Sequence, residues 1–477
     1  MWTKEQRINS QMSRTWNPAN GEEQCALLAV ESSGSSAAAA SGSDDEAVTS
    51  SGAPRTKTQL RKLQHRTRMP QPRMLRRLGC YTLSAFVIFL LLLVYLPLIY
   101  LDGHKRCAGL PDWTLETSRS TTDYLDPGRE TALIVPRDFC RNKTFLVIAV
   151  CTGVANFVQR QTIRESWGNT TEFNYPAFVK LHGHLKGHYL PPMPERLKLY
   201  EDYLSGEGDS LTASVKIVFI VGRQGDEALV GNETLTRIHT EADQYNDIIQ
   251  ENFVDSYNNL TLKSVMALKH ISRSCSNTSV FFLKCDDDTF VNVPNLLHFL
   301  LGGTIPLYND TLDYHDRSTF LATAPQNRLK ATSEVMYGHQ FCNVVPVSEV
   351  SSKWYMPSYM YKPETYPKYL SGAGYLLSID VVQRLFEASL NTTLVYLEDV
   401  YITGLCAQRA KIKRHHHPLF SFAHSKQPCA FKGSITQHQM KDDSMVEAWH
   451  HVANYSIKCP PPGRYFSQMR LRKRQNC

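Results

Sequence analysis

Apolar residues along this chain fall into dense runs separated by polar, turn-forming segments. FLVIAVCT at 145–152, VKIVFIVG at 215–222 and VFFL at 280–283 are β-type runs apolar on nearly every position, the pattern of strands covered on both faces in a parallel sheet. Between them the spacing turns helical. Arg160, Ile163, Arg164 and Trp167 fall at i, i+3, i+4 and i+7 within RQTIRESWGN, placing two guanidinium groups beside an apolar stripe. DIIQENFVDSYNNLTLK (247–263) leads into an amphipathic helix over Leu262–Ser272, and Ile379–Ala388 carries Ile379, Val382, Leu385 and Phe386 on one face. Strands alternating with helices predict an α/β domain with a mainly parallel sheet, whose ligands sit outside the carboxyl ends of the strands. SKWYMP (352–357) and YPKYLSGAGYLLS (366–378) read as aromatic, glycine-rich and turn-rich segments. LEDVYITGLCAQ (397–408) places Glu398 and Asp399 at a helix start, where the dipole favours negative charge.

The first hundred residues follow other patterns. Residues 1–54 are poor in aromatics and rich in Ser, Ala and Gly, so they cannot bury enough apolar surface to offset the entropy of ordering. Residues 55–77 hold nine Lys or Arg and no acid, and with the net charge of +7 they invite a nucleic-acid reading. The next segment argues against it. Residues 80–101 are 22 positions without a charge, long enough to cross a bilayer as a helix. The basic cluster outnumbers His104, Lys105 and Arg106 on the far side, which puts the N-terminus in the cytosol and residues 102–477 in the lumen. The expected layout is a tail over 1–79, a signal-anchor helix over 80–101, a Pro- and Gly-bearing stem over 102–143 and a globular domain over 144–477. All eight N-x-S/T sequons, at Asn142, Asn169, Asn232, Asn259, Asn277, Asn309, Asn391 and Asn454, lie beyond the span, where lumenal glycosylation would reach them. Ten of the twelve cysteines lie there too, so several should be disulfides.

The chemistry concentrates at VFFLKCDDDTFVNV, 280–293. A buried strand runs into Asp286, Asp287 and Asp288, and a second β-rich run, Thr289–Val293, follows. Alternation along an extended chain puts Asp286 and Asp288 on one side and Asp287 on the other. Two carboxylates on one face repel unless a cation lies between them, and hard oxygen ligands suit Mn²⁺ or Mg²⁺ bridging substrate phosphates. The alternative is a solvated acidic turn. Arg160 and Arg164 suit bidentate phosphate contacts, or else a solvated helix face. Gly372 and Gly374 allow close backbone approach to a ligand, and aromatics such as Trp354 and Tyr369 can stack on sugar rings. An ordinary loop packing its tyrosines would look the same. Three adjacent histidines, 415–417, cannot converge on one ion without contortion and read as a solvated loop. Cys285 reads as packed or disulfide-bonded.

Taken together, RQTIRESWG, DIIQENFVDSYNNLTLK, FFLKCDDDTFVN, SKWYMP, YPKYLSGAGYLLS, EDVYITGLC and ITQHQ (435–439) resemble, in order across about residues 143–459, the β-1,3-galactosyltransferase family of Golgi enzymes, which includes β-1,3-N-acetylglucosaminyltransferases. Leu370, Ala373 and His270 depart from it, standing where Cys, Gly or Thr, and Trp are common. The resemblance implies a GT-A-type Rossmann-like domain in a single-pass type II Golgi membrane protein. It implies an inverting transfer of galactose from UDP-galactose, in β-1,3 linkage, to a glycan acceptor. Within that resemblance Asp288 and His438 would ligate Mn²⁺, Asp286 and Asp287 would hold the uridine ribose and metal-bound waters, and Arg160 and Arg164 would line the uridine-diphosphate pocket. Asp399 would be the base, and Trp354, Tyr369, Gly372, Gly374 and Glu398 would meet the acceptor. N-acetylglucosamine transfer from UDP-GlcNAc is the runner-up, which Glu398 and the SKWYMP block weigh against. A membrane-anchored lectin-like protein without catalysis would have lost the metal acid or the base, and both are present.

Overall fold

The computed structural model describes residues 118–225, 233–308, 310–311, 328–423, 425, 427–440 and 442–461, with Phe86, Phe89 and Leu90. The chain divides into two compact units, Asn20–Ala108 and the remainder. Of the first unit only those three residues are described; they are helical and exposed. The expected span over 80–101 therefore lies almost wholly outside the described residues, among which no helix is long and apolar enough to cross a membrane.

The second unit is built on an eight-stranded sheet. Its strands are β1 (Ala132–Ile134), β2 (Thr144–Cys151), β3 (Val215–Arg223), β4 (Ile248–Val254), β5 (Ser279–Asp286), β7 (Met336–Phe341), β8 (Tyr369–Ser378) and β9 (His415–His416). Between β5 and β7 in the chain, β6 (Phe290–Val291) belongs to a separate two-stranded ribbon with β10 (Thr436–Gln437). The order across the large sheet is β1-β4-β3-β2-β5-β8-β7-β9. The four strands β4, β3, β2 and β5 run parallel, while β8 joins β5 and β7 antiparallel. The chain moves outward from β2 through β3 to β4, then returns to place β5 on the other side of β2. That reversal opens a crevice at the carboxyl ends of β2 and β5, where Cys151 is paired with Asp286.

Every residue of β2 is buried because helices cover both faces. Val147 and Ala149 pack with α3 (Leu260–Ser274) and α5 (Ile379–Ser389), whereas Leu146, Ile148 and Val150 pack on the opposite side with α1 (Phe157–Glu165) and α4 (Val293–Leu300). The helix α2 (Glu233–Tyr245) leads into β4. The expected amphipathic helix is α3, but every residue from Thr261 to Ile271 is buried. Its polar positions are tolerated because each has a partner. Lys263 pairs with Asp255 at 2.6 Å, Lys269 donates to Thr131 at 2.6 Å, and His270 bonds Glu251 at 2.6 Å.

Several expectations change. Within the segment 366–378, Tyr369–Ser378 form a strand in the body of the sheet rather than a loop; covered on both faces, it shows no polar alternation, and its glycines disguise it. Val293 opens α4 instead of ending a strand, because Asn292 caps the helix by accepting from Asn295 N and Pro294 pre-sets the first turn. His415 and His416 form the edge strand β9 and His417 is buried, so this is not a solvated loop. The strand β4 lies inside a segment read only as a lead-in to a helix. Upstream of Thr144, β1 extends the sheet, Arg119 donates to the carbonyls of Leu394 and Met360, and Cys140 is disulfide-bonded to Cys275. A second disulfide joins Cys429 to Cys459, while Cys151, Cys285 and Cys406 are buried free thiols.

Candidate active site

The three acids stand where β5 leaves the sheet. Asp287 points towards the β2 end, its Oδ2 accepting from Thr152 Oγ1 at 2.6 Å and Asn156 Nδ2 at 2.8 Å. Burial raises the Asp287 pKa despite those two hydrogen bonds. Asp286 and Asp288 face the other way, towards His438. His438 Nε2 is 3.1 Å from Asp288 Oδ1 and 4.0 Å from Asp286 Oδ2. One ligand atom from each of the three residues lies within 4.8 Å of the other two, a separation a single cation can span. The pairing of β10 with β6 brings His438 here, setting Gln437 against Phe290, and Met440 N donates to Asp288 O at 2.8 Å. His438 Nδ1 donates to Phe422 O at 3.0 Å, which leaves Nε2 directed at the acids. Burial opposes a charge on His438, but Asp288 and Asp286 outweigh it and raise its pKa.

Behind this cluster lies a second acidic pair. Asp399 begins a π-helical stretch, Val400–Cys406, and accepts from Val400 N at 2.8 Å and more weakly from Gly372 N at 3.4 Å. Burial, and then the charge of Glu398, push the Asp399 carboxyl up to about 7. Glu398 does not reach a surface where an acceptor could sit. It is only 4% exposed, with Oε1 accepting from Tyr375 OH at 2.7 Å and Oε2 from Lys284 Nζ at 3.3 Å. Both of these contacts are internal. Gly372 serves the same packing: a Cβ there would stand 3.0 Å from Glu398 Oε2. At Gly374 a Cβ would meet Thr436 Cγ2 at 3.4 Å, an ordinary contact, so nothing there requires glycine.

Both arginines are engaged by acids of the fold, and Arg164 lines a cavity with Ile163, Gly168, Phe219 and Asp247. Arg160 is fully buried, bidentate on Glu241 at 2.9 and 2.7 Å, and donates to Gly153 O and Val154 O. Arg164 pairs with Glu241 and bidentately with Asp247. Arg160 reaches the site only through the 152–156 turn that also carries the partners of Asp287. Trp354 is 53% exposed under Lys353, on a loop whose Lys353 carbonyl accepts from Tyr396 OH at 3.1 Å. Tyr369 is buried, its ring against Phe341 and Tyr366, and burial followed by the charge of Asp399 raises its pKa. Sequence reasoning did not single out Tyr257, a partly exposed tyrosine just past the carboxyl end of β4. Burial and the charges of Asp399, Asp286 and Glu398 hold its proton on. Its place after a parallel strand was the available signal, hidden because β4 itself went unseen.

Of the sequons, Asn142, Asn277, Asn391 and Asn454 are exposed and Asn169 is half-buried, while Asn232 and Asn309 lie outside the described residues. Asn259 is fully buried, and its amide donates to Val254 O at 2.8 Å.

Residues 196–315 and 310–418 match the family model described as galactosyltransferase. Beta-1,3-galactosyltransferase 1 from Mus musculus and from Homo sapiens are each 31% identical over 317 residues, covering 66% of this chain and 76% of the relative. The chain belongs to the galactosyltransferase family. Within it the chain is also similar to lactosylceramide 1,3-N-acetyl-beta-D-glucosaminyltransferase A from Danio rerio, 30% identical over 65% of this chain and 67% of that one. The α/β unit with its acidic crevice is thus a glycosyltransferase domain.

Proposed function

We propose that this protein is an inverting β-1,3-galactosyltransferase that moves galactose from UDP-galactose to a hydroxyl of a protein- or lipid-borne glycan. In this reading residues 80–101 anchor it as a type II protein of the Golgi membrane with the domain in the lumen. The observation that carries the reading is the convergence of Asp286, Asp288 and His438 from two distant segments at a parallel-strand end, linked through Lys284 to Glu398, the chain neighbour of Asp399. Carboxylate oxygens and one imidazole nitrogen directed at a common point fit Mn²⁺. Asp288, His438 and Asp286 would hold the ion, which when bound would neutralise charge on a departing diphosphate. Asp287, fixed by Thr152 and Asn156, stiffens the turn that presents its two neighbours.

Asp399 is the group suited to take the acceptor proton. As the hydroxyl oxygen attacks the anomeric carbon, the bond to the diphosphate breaks on the opposite face and the configuration inverts. A base near pH 7 in strength is ionised in a large share of molecules and still accepts a proton readily. Trp354 and Tyr257 offer partly exposed rings on which a sugar can stack.

The donor is tested with the full-length chain in detergent, Mn²⁺, UDP-galactose and UDP-GlcNAc, and β-linked acceptor glycans. Transfer of galactose is expected. Preference for UDP-GlcNAc would move the assignment to the activity named for the zebrafish relative, and absence of transfer from any UDP-sugar would reject catalysis.

A further inference from the structure

Beneath the acidic crevice sits a buried lysine, Lys284. The Lys284 side chain is 1% exposed, and its ammonium donates to Asp286 Oδ1 at 2.7 Å, Gly372 O at 2.8 Å and Glu398 Oε2 at 3.3 Å. Three protons meet three acceptors, one each from β5, β8 and the segment entering the π-helical stretch. Lys284 and Asp286 are two apart on β5 and share a face, so the contact follows from strand geometry. Glu398 is closed on its other side by Tyr375, and Gly372 leaves the room it needs. The lysine thus stands between the carboxylate that faces His438 and the glutamate whose chain neighbour is Asp399.

We propose that Lys284 is a positioning residue: it ties the Asp286 carboxylate to the 398–399 pair and so sets the separation between the metal-holding cluster and the base. This rests on the metal and base assignments above. Without the ammonium, the buried Glu398 carboxylate and the half-buried Asp286 carboxylate would face each other uncompensated and turn apart. Asp286 Oδ2 would then leave the direction of His438, and Glu398 would carry the backbone of Asp399 with it. The role differs from simple neutralisation of a buried charge, because it requires the bond to Asp286 as well as the one to Glu398.

The test compares the wild-type chain, Lys284→Met, Glu398→Gln and the double variant. Mn²⁺ affinity is read directly from the electron paramagnetic resonance signal of free Mn²⁺ in the presence of UDP, alongside kcat and thermal unfolding. Removing a group that orients a metal ligand typically costs 10–100-fold in affinity or activity. Lys284→Met is expected to lose Mn²⁺ affinity and kcat within that range. The double variant, which removes one of the two uncompensated carboxylates, should regain thermal stability while its Mn²⁺ affinity stays at least about 10-fold weak. If Lys284→Met does not fold, the double variant carries the comparison alone. Wild-type Mn²⁺ affinity in folded Lys284→Met, or recovery of both affinity and kcat in the double variant, would overturn the proposal. Failure of the underlying metal assignment shows differently: wild-type protein would bind no Mn²⁺ and Asp288→Asn would turn over normally.

Discussion

A carboxylate stripped of water beside a second carboxylate holds its proton more tightly, and Asp399 is in that position, with its pKa pushed up to about 7. Only the ionised form can accept a proton, so kcat/KM should rise as pH increases through about 7, and a rate profile from pH 5 to 9 reads this directly. Asp399→Asn should lower kcat by roughly 10²–10⁴, the usual cost of removing a positioned base. UDP-sugar affinity should change little, since Asp399 makes no contact with the three-residue metal cluster. Glu398→Gln keeps the shape of a buried group and should cost less in turnover. Asn259 gives a second residue-scale expectation. Its amide is buried on the Val254 carbonyl, so Asn259→Gln should leave the number of glycosidase-sensitive glycans unchanged while lowering thermal stability. A lost glycan on a mass spectrum would contradict that placement.

At the scale of elements, α1 is held by charge as well as by packing. Arg160 lies in the core with Glu241 on one side and the carbonyls of the 153–154 turn on the other. The helical spacing of Arg160, Ile163, Arg164 and Trp167 was legible from sequence, but their direction was not. The arginines turn inward because α2 and the residue before β4 supply Glu241 and Asp247, acids that periodicity cannot connect to α1. Breaking a buried pair costs about 3–5 kcal/mol when one charge is stranded. Glu241 would still keep Arg164, so Arg160→Met should destabilise the domain by about 3 kcal/mol, measurable from the shift in its denaturant midpoint. The strand β8 shows the reverse difficulty. With both faces covered and Gly372 and Gly374 inside it, no alternation marks it as a strand; its pairing with β5 from Phe281 to Cys285 does.

For the whole molecule, histidines deep in the fold weaken stability against acid. His182, His298 and His417 are buried, and burial lowers each pKa to about 3. His182 has both nitrogens engaged: Nε2 donates to Asn295 Oδ1 and Nδ1 accepts from Tyr308 OH, a bond that a second ring proton would break. The unfolded chain takes up these protons near pH 6.5 and the folded chain does not, so the histidines disfavour folding as pH falls below that value. Between pH 7 and pH 5 each should cost about 2 kcal/mol. Thermal unfolding of the domain should therefore move to lower temperature across that interval, and His298→Phe should flatten the dependence by about a third of the histidine contribution.

Alternating apolar runs and helical spacings already specified a parallel α/β domain, because a strand covered on both sides and a helix covered on one leave distinct local periods. The same alternation set Asp286 and Asp288 on one side and Asp287 on the other, since that depends only on the backbone of adjacent residues. What remained for the tertiary structure was everything that depends on which distant segments meet. The β6–β10 pairing carries His438 to Asp288, and the packing of β8 beside the segment entering the π-helical stretch sets Gly372 against Glu398. Burial then decided between two neighbouring acids of similar chemistry. Glu398 turned inward to Lys284 and Tyr375, while Asp399, with no cation of its own, keeps a carboxyl that titrates near neutrality. Local sequence fixes side-chain direction along an element; only packing fixes the dielectric surroundings and the partners that give a carboxylate its role.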